Sequence, residues 1–174
     1  IQGDVLRQNL NELPIPTPLN VVGNIPYNIT SPILFWLIEQ RSHWNEAYFM
    51  VQKEMADRLT GTVGTKTYGR LTVMIGAFLN VKKCFTIPPE VFIPKPKIKS
   101  AIIKLVKHDE PIVSDEMFSR FEKIVAAAFS QRRKMLRNTL TGFRISEEVK
   151  AKIDFTRRPE MLTINEFAEL SKII

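Results

Sequence analysis

Residues Val22 to Pro32 read V-G-N-I-P-Y-N-I-T-S-P, and the residue types in this stretch decide how the chain is laid out. Asn20 to Val22 leads into Gly23 as a short, mainly apolar approach, the pattern of a buried strand that starts just before the motif. Pro26 and Pro32 interrupt regular structure because neither has an N–H to donate. Thr30 or Ser31 is placed to cap a following helix with Pro32 at its first position. Ile33, Leu34, Leu37 and Ile38 then recur at helical spacing and predict a buried helix face.

Working outward, Ala47 to Val51 is a second short apolar run, as in a buried parallel strand. Gln52 to Leu59 is predicted helical. Gly61 to Gly69 reads as a flexible loop, and Leu71 to Leu79 as a packed helix. Val81 to Ile87 and Ala101 to Val106 are the last strand candidates, with the extended, proline-rich P-P-E-V-F-I-P-K-P-K between them. Strand, helix, strand, helix and two late strands make an α/β fold. Asp109-Glu110-Pro111 is a linker candidate. Beyond it, Ser114 opens a helix carrying Phe118, Phe121, Ile124, Val125 and Ala128, whose apolar face Met135, Leu136 and Leu140 continue. Ser146 opens another, with Glu147 and Glu148 at its positive end. Thr163 caps the last, with Glu166 three residues on as in a capping box. Two domains are expected: an α/β domain over 1–108 and a small helical domain over 109–174.

The chain has 174 residues and a formal net charge of +7. No apolar run approaches membrane-spanning length. The single cysteine, Cys84, excludes a disulfide framework and a cysteine-rich zinc site, and a reducing, cytosolic compartment is the simplest reading. His43 and His108 lie far from any acidic cluster, so no metal site is expected, and the protein is expected to be a monomer. Ile1-Gln2-Gly3-Asp4 reads as a strand end running into a turn, so the chain looks cut on its N-terminal side. Lys82 to Lys107 holds seven lysines and one acid, Glu90; Phe129 to Asn138 holds Arg132, Arg133, Lys134 and Arg137 and no acid. Runs like these are commonly solvated faces. The missing counter-charges favour phosphate contact, with Arg133 and Arg137 on one helix face.

By itself the motif suits methylation of an amine on a flat base. The exocyclic amine of adenine is a poor nucleophile because its lone pair is delocalised into the ring. Two acceptors aimed at its N–H bonds draw the nitrogen toward tetrahedral geometry and fix its place. Asn24 can supply a side-chain oxygen. The backbone carbonyl next to Pro26 can supply the second, since the proline keeps the chain out of a helix that would use it. Tyr27 offers a flat face for an unstacked base. A plain strand-ending turn is the ordinary reading of four such residues; their setting between strand and helix gives them weight.

Other blocks extend the pattern: G-D at Gly3-Asp4, Q-K-E at Gln52 to Glu54, Y-G-R-L at Tyr68 to Leu71 and V-F-I-P-K-P-K-I-K-S-A at Val91 to Ala101. F-S-Q-R-R-K-M-L-R-N-T-L at Phe129 to Leu140 and R-R-P-E-M-L at Arg157 to Leu162 complete it. In this order the blocks resemble the small-subunit (16S) rRNA adenine dimethyltransferases, the KsgA family, over essentially the whole chain. The resemblance implies a Rossmann-like class I methyltransferase sheet followed by a helical, RNA-binding domain. It implies S-adenosyl-L-methionine as cofactor, and two methyls on each of two adjacent adenines in the 3′-terminal hairpin loop of an immature 30S-type subunit. Asp4 resembles the acid that accepts from the cofactor's adenine amine, and Asn24 would contact cofactor and target. Pro26 and Tyr27 would position and stack the target, and Phe92 resembles an aromatic packing on it from the other side. Taken alone, Asp4 is a turn residue, and Phe92 suits a core as well as a base. Lys95, Lys97, Arg132, Arg133, Lys134 and Arg137 would grip RNA backbone. Tyr68 and Arg70 would order on RNA or serve packing. A resistance-type methylase of large-subunit rRNA shares the motif and is a second reading. A catalytically idle binding factor in ribosome assembly is a third, and a DNA adenine methylase a weaker fourth.

The resemblance also places the glycine-rich cofactor loop and the ribose-holding acid upstream of Asp4; Gly61-Thr62-Val63-Gly64 lacks the strand–loop–helix setting to replace it. The 174-residue chain alone is therefore expected to bind S-adenosylmethionine weakly or not at all by calorimetry, and tight binding would contradict this.

Overall fold

The approach to the motif is a strand: β1 covers Leu19–Asn24 in the computed structural model, which describes residues 2–172. With β2 (Trp44–Gln52), β3 (Leu79–Ile87) and β4 (Ser100–Lys107) it forms a four-stranded sheet in the order β1-β2-β4-β3. β1 and β2 are parallel, while β4 runs antiparallel to both of its neighbours. A parallel pair needs a crossover, and α1 (Thr30–Glu39) lies on it, while the helix predicted after β2 is α2 (Lys53–Leu59). The fold is therefore the α/β arrangement expected, with the two late strands adding an antiparallel part to the sheet.

Strand alternation separates two faces. Ala47, Phe49 and Val51 of β2 register with Leu105, Ile103 and Ala101 of β4, and all six are buried. Ile33, Leu34, Leu37 and Ile38 of α1 are buried too, as their spacing predicts, and Trp44 Nε1 donates to the Leu37 carbonyl at 2.8 Å. The other face holds Val22, 78% exposed, and the Glu46–Lys104 ion pair, with the lysine also over the Tyr48 ring. Lys82 and Lys83 lie exposed on the edge strand β3, which discourages further strand pairing.

The start of α1 differs from expectation. Neither Thr30 nor Ser31 caps it. A 3-10 turn over Tyr27–Ile29 runs straight into the helix, making Ile29 the N-cap and Pro32 its third residue. The Thr30 hydroxyl donates back to the Tyr27 carbonyl at 3.2 Å.

By contacts the chain divides into two compact units. The first holds the residues up to Asp57 together with Leu79–Asp109. The second holds Arg58–Phe78 together with the residues from Glu110 onward. A boundary at 108/109 would keep 58–78 with the sheet, whereas α3 (Arg70–Gly76) and the loop before it belong with the helices. The reason is burial: Tyr68, Val73, Met74 and Ile75 are all buried, the Tyr68 hydroxyl donates to the Leu162 carbonyl at 2.8 Å, and Ile112 N–H donates to the Ala77 carbonyl at 2.9 Å.

In the second unit, α4 (Asp115–Phe129) buries Phe121, Ile124, Val125 and Ala128, and Phe118 meets Phe78 edge-on at 5.6 Å. The helix does not run on to Leu140. The Ser130 hydroxyl bonds the Ala127 carbonyl at 2.6 Å, residues 130–134 turn, and the short α5 (Leu136–Thr139) begins anew. Its first N–H groups, of Leu136 and Arg137, donate to the Arg157 and Phe155 carbonyls. α6 is Glu147–Lys152 and α7 Ile164–Ser171. The capping box is present: Glu166 N–H reaches the Thr163 hydroxyl at 3.2 Å, and Thr163 N–H reaches the Glu166 carboxylate at 2.8 Å. Arg157 grips the same carboxylate with both terminal nitrogens, at 2.6 and 3.0 Å.

The 61–69 loop is fastened rather than flexible. Gly64, at φ +85°, donates its N–H to the Glu160 carbonyl at 2.8 Å. The Arg132 guanidinium holds the Thr65 and Tyr68 carbonyls, both at 3.1 Å. The two ends of the loop close so tightly that a Cβ on Gly61 would stand 2.7 Å from the backbone at Thr67 and Tyr68. Gly61→Ala is expected to cost about 1–3 kcal/mol through overpacking, read as a lowered Tm at unchanged secondary structure.

Glu166 gives a pH prediction. The hydrogen bonds from Arg157 hold its carboxyl below the usual carboxylate range. Its stabilising contribution is therefore present at neutral pH and is lost as pH falls below the ordinary Glu value through the lowered one. Glu166→Gln should lower neutral stability by about 1–2 kcal/mol and flatten the acid limb of the stability curve in denaturant titrations.

Candidate active site

β1 stops where its hydrogen bonding must stop. Ile25 N–H still donates to the Met50 carbonyl at 3.3 Å, but Pro26 has no N–H and the chain leaves the sheet. The turn that follows uses the Pro26 carbonyl, which accepts from Ile29 N–H at 3.1 Å. The Ile25 carbonyl accepts from no donor among the described residues. The second acceptor offered by the motif is thus the carbonyl before the proline, not that of Pro26. The Ile25 side chain is buried and anchors the segment, while Asn24 is exposed and its amide is unbonded within the described chain. Tyr27 is half-buried, and its hydroxyl lies 2.9 Å from Ser100 Oγ.

The sheet topology collects the neighbours. β1 and β2 end at this side, β3 ends here and β4 starts here, so residues 88–99 form a loop at the same end of the sheet. Ligands of open α/β sheets bind at this carboxyl end of the parallel strands. Lys53 N–H, just past β2, donates to the Lys99 carbonyl at 2.9 Å and pins the foot of the loop. Phe92 is half-buried and closes a 3-10 turn over Pro89–Val91 with its N–H on the Pro89 carbonyl at 3.2 Å. Ile93, fully exposed, follows. Lys95 pairs with Glu90 at 2.8 Å, and that contact holds the Glu90 carboxyl below its ordinary range. Lys97 is exposed and carries no ion pair among the described residues. Asp4 N-caps the turn Val5–Arg7: one carboxylate oxygen accepts from Leu6 N–H at 3.0 Å and the other faces Arg7 Nε at 3.6 Å.

The second basic group lies in the other unit and is not one helix face. Arg132, Arg133 and Lys134 occupy the turn after α4, and Arg137 sits on α5. Arg132 is committed to the 61–69 loop, whereas the exposed side chains of Arg133, Lys134 and Arg137 have no partner among the described residues. Arg137 also lines a cavity of about 500 Å³ with Phe143, Lys150 and Phe155. Tyr68 serves packing, and Arg70 pairs with Glu122 at 3.3 Å. The described residues contain no group of three or more His, Cys, Asp or Glu that could hold a metal ion. Ser100 does not stand out in the sequence except as part of a matching block; a serine opening an otherwise apolar buried strand is the signal that could have found it.

The mixed sheet, whose first strand runs into Asn-Ile-Pro-Tyr with a basic loop at the same end, has the Rossmann-like fold of solved rRNA methyltransferases. The family model described as ribosomal RNA adenine dimethylase matches residues 1–174, and the chain belongs to that family. It is 41% identical to ribosomal RNA small subunit methyltransferase A of Dichelobacter nodosus, over 100% of this chain and 66% of that protein. It is 42% identical to the protein of the same name from Xylella fastidiosa, over 98% and 66%. The chain thus spans 66% of the length of these relatives. A crystal structure of a dimethyladenosine transferase from Plasmodium falciparum matches with a TM-score of 0.82 at 25% identity, over 99% of this chain and 73% of that one. The 23S rRNA methyltransferase ErmE matches at 0.72 and 26%, over 99% and 70%.

The two kinds of basic residue are separable by experiment. Arg132→Glu is expected to lower Tm because it releases the 61–69 loop. Arg133→Glu is expected to leave Tm within error and to reduce RNA affinity and the slope of affinity against salt, by about one phosphate contact.

Proposed function

We propose that this protein dimethylates the exocyclic amines of two adjacent adenines in the 3′-terminal hairpin loop of small-subunit rRNA, acting on immature small subunits during their biogenesis. The observation that carries the reading is the pair of acceptors at the end of β1, the Asn24 amide and the Ile25 carbonyl, that are unbonded among the described residues, beside the tethered ring of Tyr27. The names of the relatives support small-subunit rRNA as the substrate.

The chain's own residues supply position and polarity. For the first methyl, Asn24 Oδ1 and the Ile25 carbonyl accept the two amine N–H bonds, which orients the nitrogen and makes its lone pair available; for the second, one of the two acceptors holds the single N–H that remains. Tyr27 stacks the unstacked base, and Phe92 covers its second face. Pro26 keeps the Ile25 carbonyl out of any helix. The proton released from the amine passes to water, so no group of shifted pKa is needed. S-adenosylmethionine, when bound, supplies a methyl on a positively charged sulfur. Asp4 suits its adenine amine: each carboxylate oxygen has one neighbour and a second lone pair, and the side chain is exposed. Asn24 suits both cofactor and target. Lys95, Lys97, Arg133, Lys134 and Arg137 contact RNA backbone, and Arg132 contributes through the loop it holds.

A second reading, methylation of large-subunit rRNA, is favoured by the match to a 23S rRNA methyltransferase. Methyl transfer by the intact protein to purified immature small subunits, large subunits and DNA distinguishes them. Transfer confined to small subunits is expected; transfer to large subunits or DNA alone would overturn the proposal. Asn24→Ala should reduce the rate about 100-fold, as loss of a preorganised polar contact does. A variant that keeps its rate would favour a binding role without catalysis.

A further inference from the structure

We infer that Ser100 is a positioning residue of this site: its hydroxyl tethers Tyr27 and holds the tyrosine ring in the plane that receives the target base. The inference rests on the stacking role proposed for Tyr27.

Three observations support it. First, the Ser100 side chain is 0% exposed, so its hydroxyl needs a partner inside the protein, and Tyr27 Oη at 2.9 Å provides one. Second, Ser100 is held independently of Tyr27. It registers with Gln52 of β2 on one side and Ile87 of β3 on the other, and the preceding Lys99 carbonyl accepts from Lys53 N–H. It is a fixed post to which the ring is attached. Third, the backbone end of Tyr27 is fixed too, because its carbonyl accepts from the Thr30 hydroxyl at 3.2 Å and the turn is closed by Ile29 N–H on Pro26. A ring held at the backbone and at its para oxygen has lost both side-chain torsions. It meets a base pre-oriented and loses little entropy on stacking.

The tether also divides the labour of recognition. With its hydroxyl engaged by Ser100, Tyr27 presents a face and not a polar edge. Stacking on a face tolerates any base. The discrimination for an amine that donates two hydrogen bonds then falls to Asn24 and the Ile25 carbonyl. Phenylalanine at position 27 would keep the face and lose the tether, so Tyr27→Phe and Ser100→Ala should have the same defect.

The test is single-turnover methyl transfer by the intact protein to immature small subunits, for wild type, Ser100→Ala, Tyr27→Phe and the double variant. Each single variant should lower the maximal rate about three- to tenfold, the range expected for one lost hydrogen bond. The apparent KM for the subunit should stay unchanged, because the RNA grip lies elsewhere. The double variant should be no slower than either single one, since both remove the same contact. Ser100→Thr, which keeps the hydroxyl, should restore the rate to within about twofold, whereas a defect due only to packing would not follow the hydroxyl. Wild-type rates in Ser100→Ala, or multiplicative losses in the double variant, would overturn the inference. If Ser100→Ala fails to fold, as read by its thermal melt, Tyr27→Phe decides: an unimpaired rate refutes the tether, and a reduced rate supports it. Tyr27→Ala separates this from the underlying reading. If Tyr27→Ala is fully active, the stacking role itself fails; if it is inactive while Ser100→Ala is normal, only the tether fails.

Discussion

The site depends on the point at which one strand is forced to stop. The parallel pairing of β1 with β2 extends to Ile25, whose N–H meets the Met50 carbonyl, and cannot extend further because Pro26 has nothing to donate. The last strand residue, Asn24, is left at the rim with its amide unbonded among the described residues. The carbonyl before the proline is stranded between sheet and turn. Tyr27 then begins a tight turn that feeds α1 without a side-chain cap. Backbone accounting, more than any single side-chain contact, places the polar groups where a base amine could meet them.

Much of this architecture was legible because it is written in local patterns. The apolar runs around Val22 and Phe49, the helical spacing from Ile33 to Ile38 and the Thr163–Glu166 capping box each appear where their periodicity or chemistry puts them. The misses are long-range. Nothing local in Ser130 to Lys134 says that α4 ends there, because the break is stabilised by carbonyls at Phe155 and Arg157 that capture the next N–H groups. Gly61 to Gly69 has the composition of a flexible loop, but its order comes from Arg132, Glu160 and Leu162, far along the chain. In the site, Asn24, Pro26 and Tyr27 stood out by type, while Ser100 acquires meaning only when β4 is laid beside β2.

Charge shows the same contrast. A count of lysines and arginines treats every cation as available to a polyanion. In the folded chain several are already engaged: Arg132 by backbone carbonyls, Lys83 and Lys53 by Asp57, and Lys95 by Glu90. The Lys53 and Lys83 hydrogen bonds hold the Asp57 carboxyl below its usual range, the mark of a carboxylate kept ionised by its neighbours. Of the six cations placed against RNA, only Lys97, Arg133, Lys134 and Arg137 keep side chains without a partner among the described residues.

The loop between β3 and β4 joins two antiparallel strands, and both of its feet are fixed in the ladder at Ile87 and Ser100. Such a loop can lengthen, shorten or exchange its tip without shifting the register of any strand beneath it. Phe92 apart, the residues that would do chemistry belong to a different connection, the one after β1. Mutation can therefore explore new shapes of substrate on one segment while the reacting geometry is inherited unchanged on the other. A fold wired in this way can diversify its targets without having to reinvent its reaction.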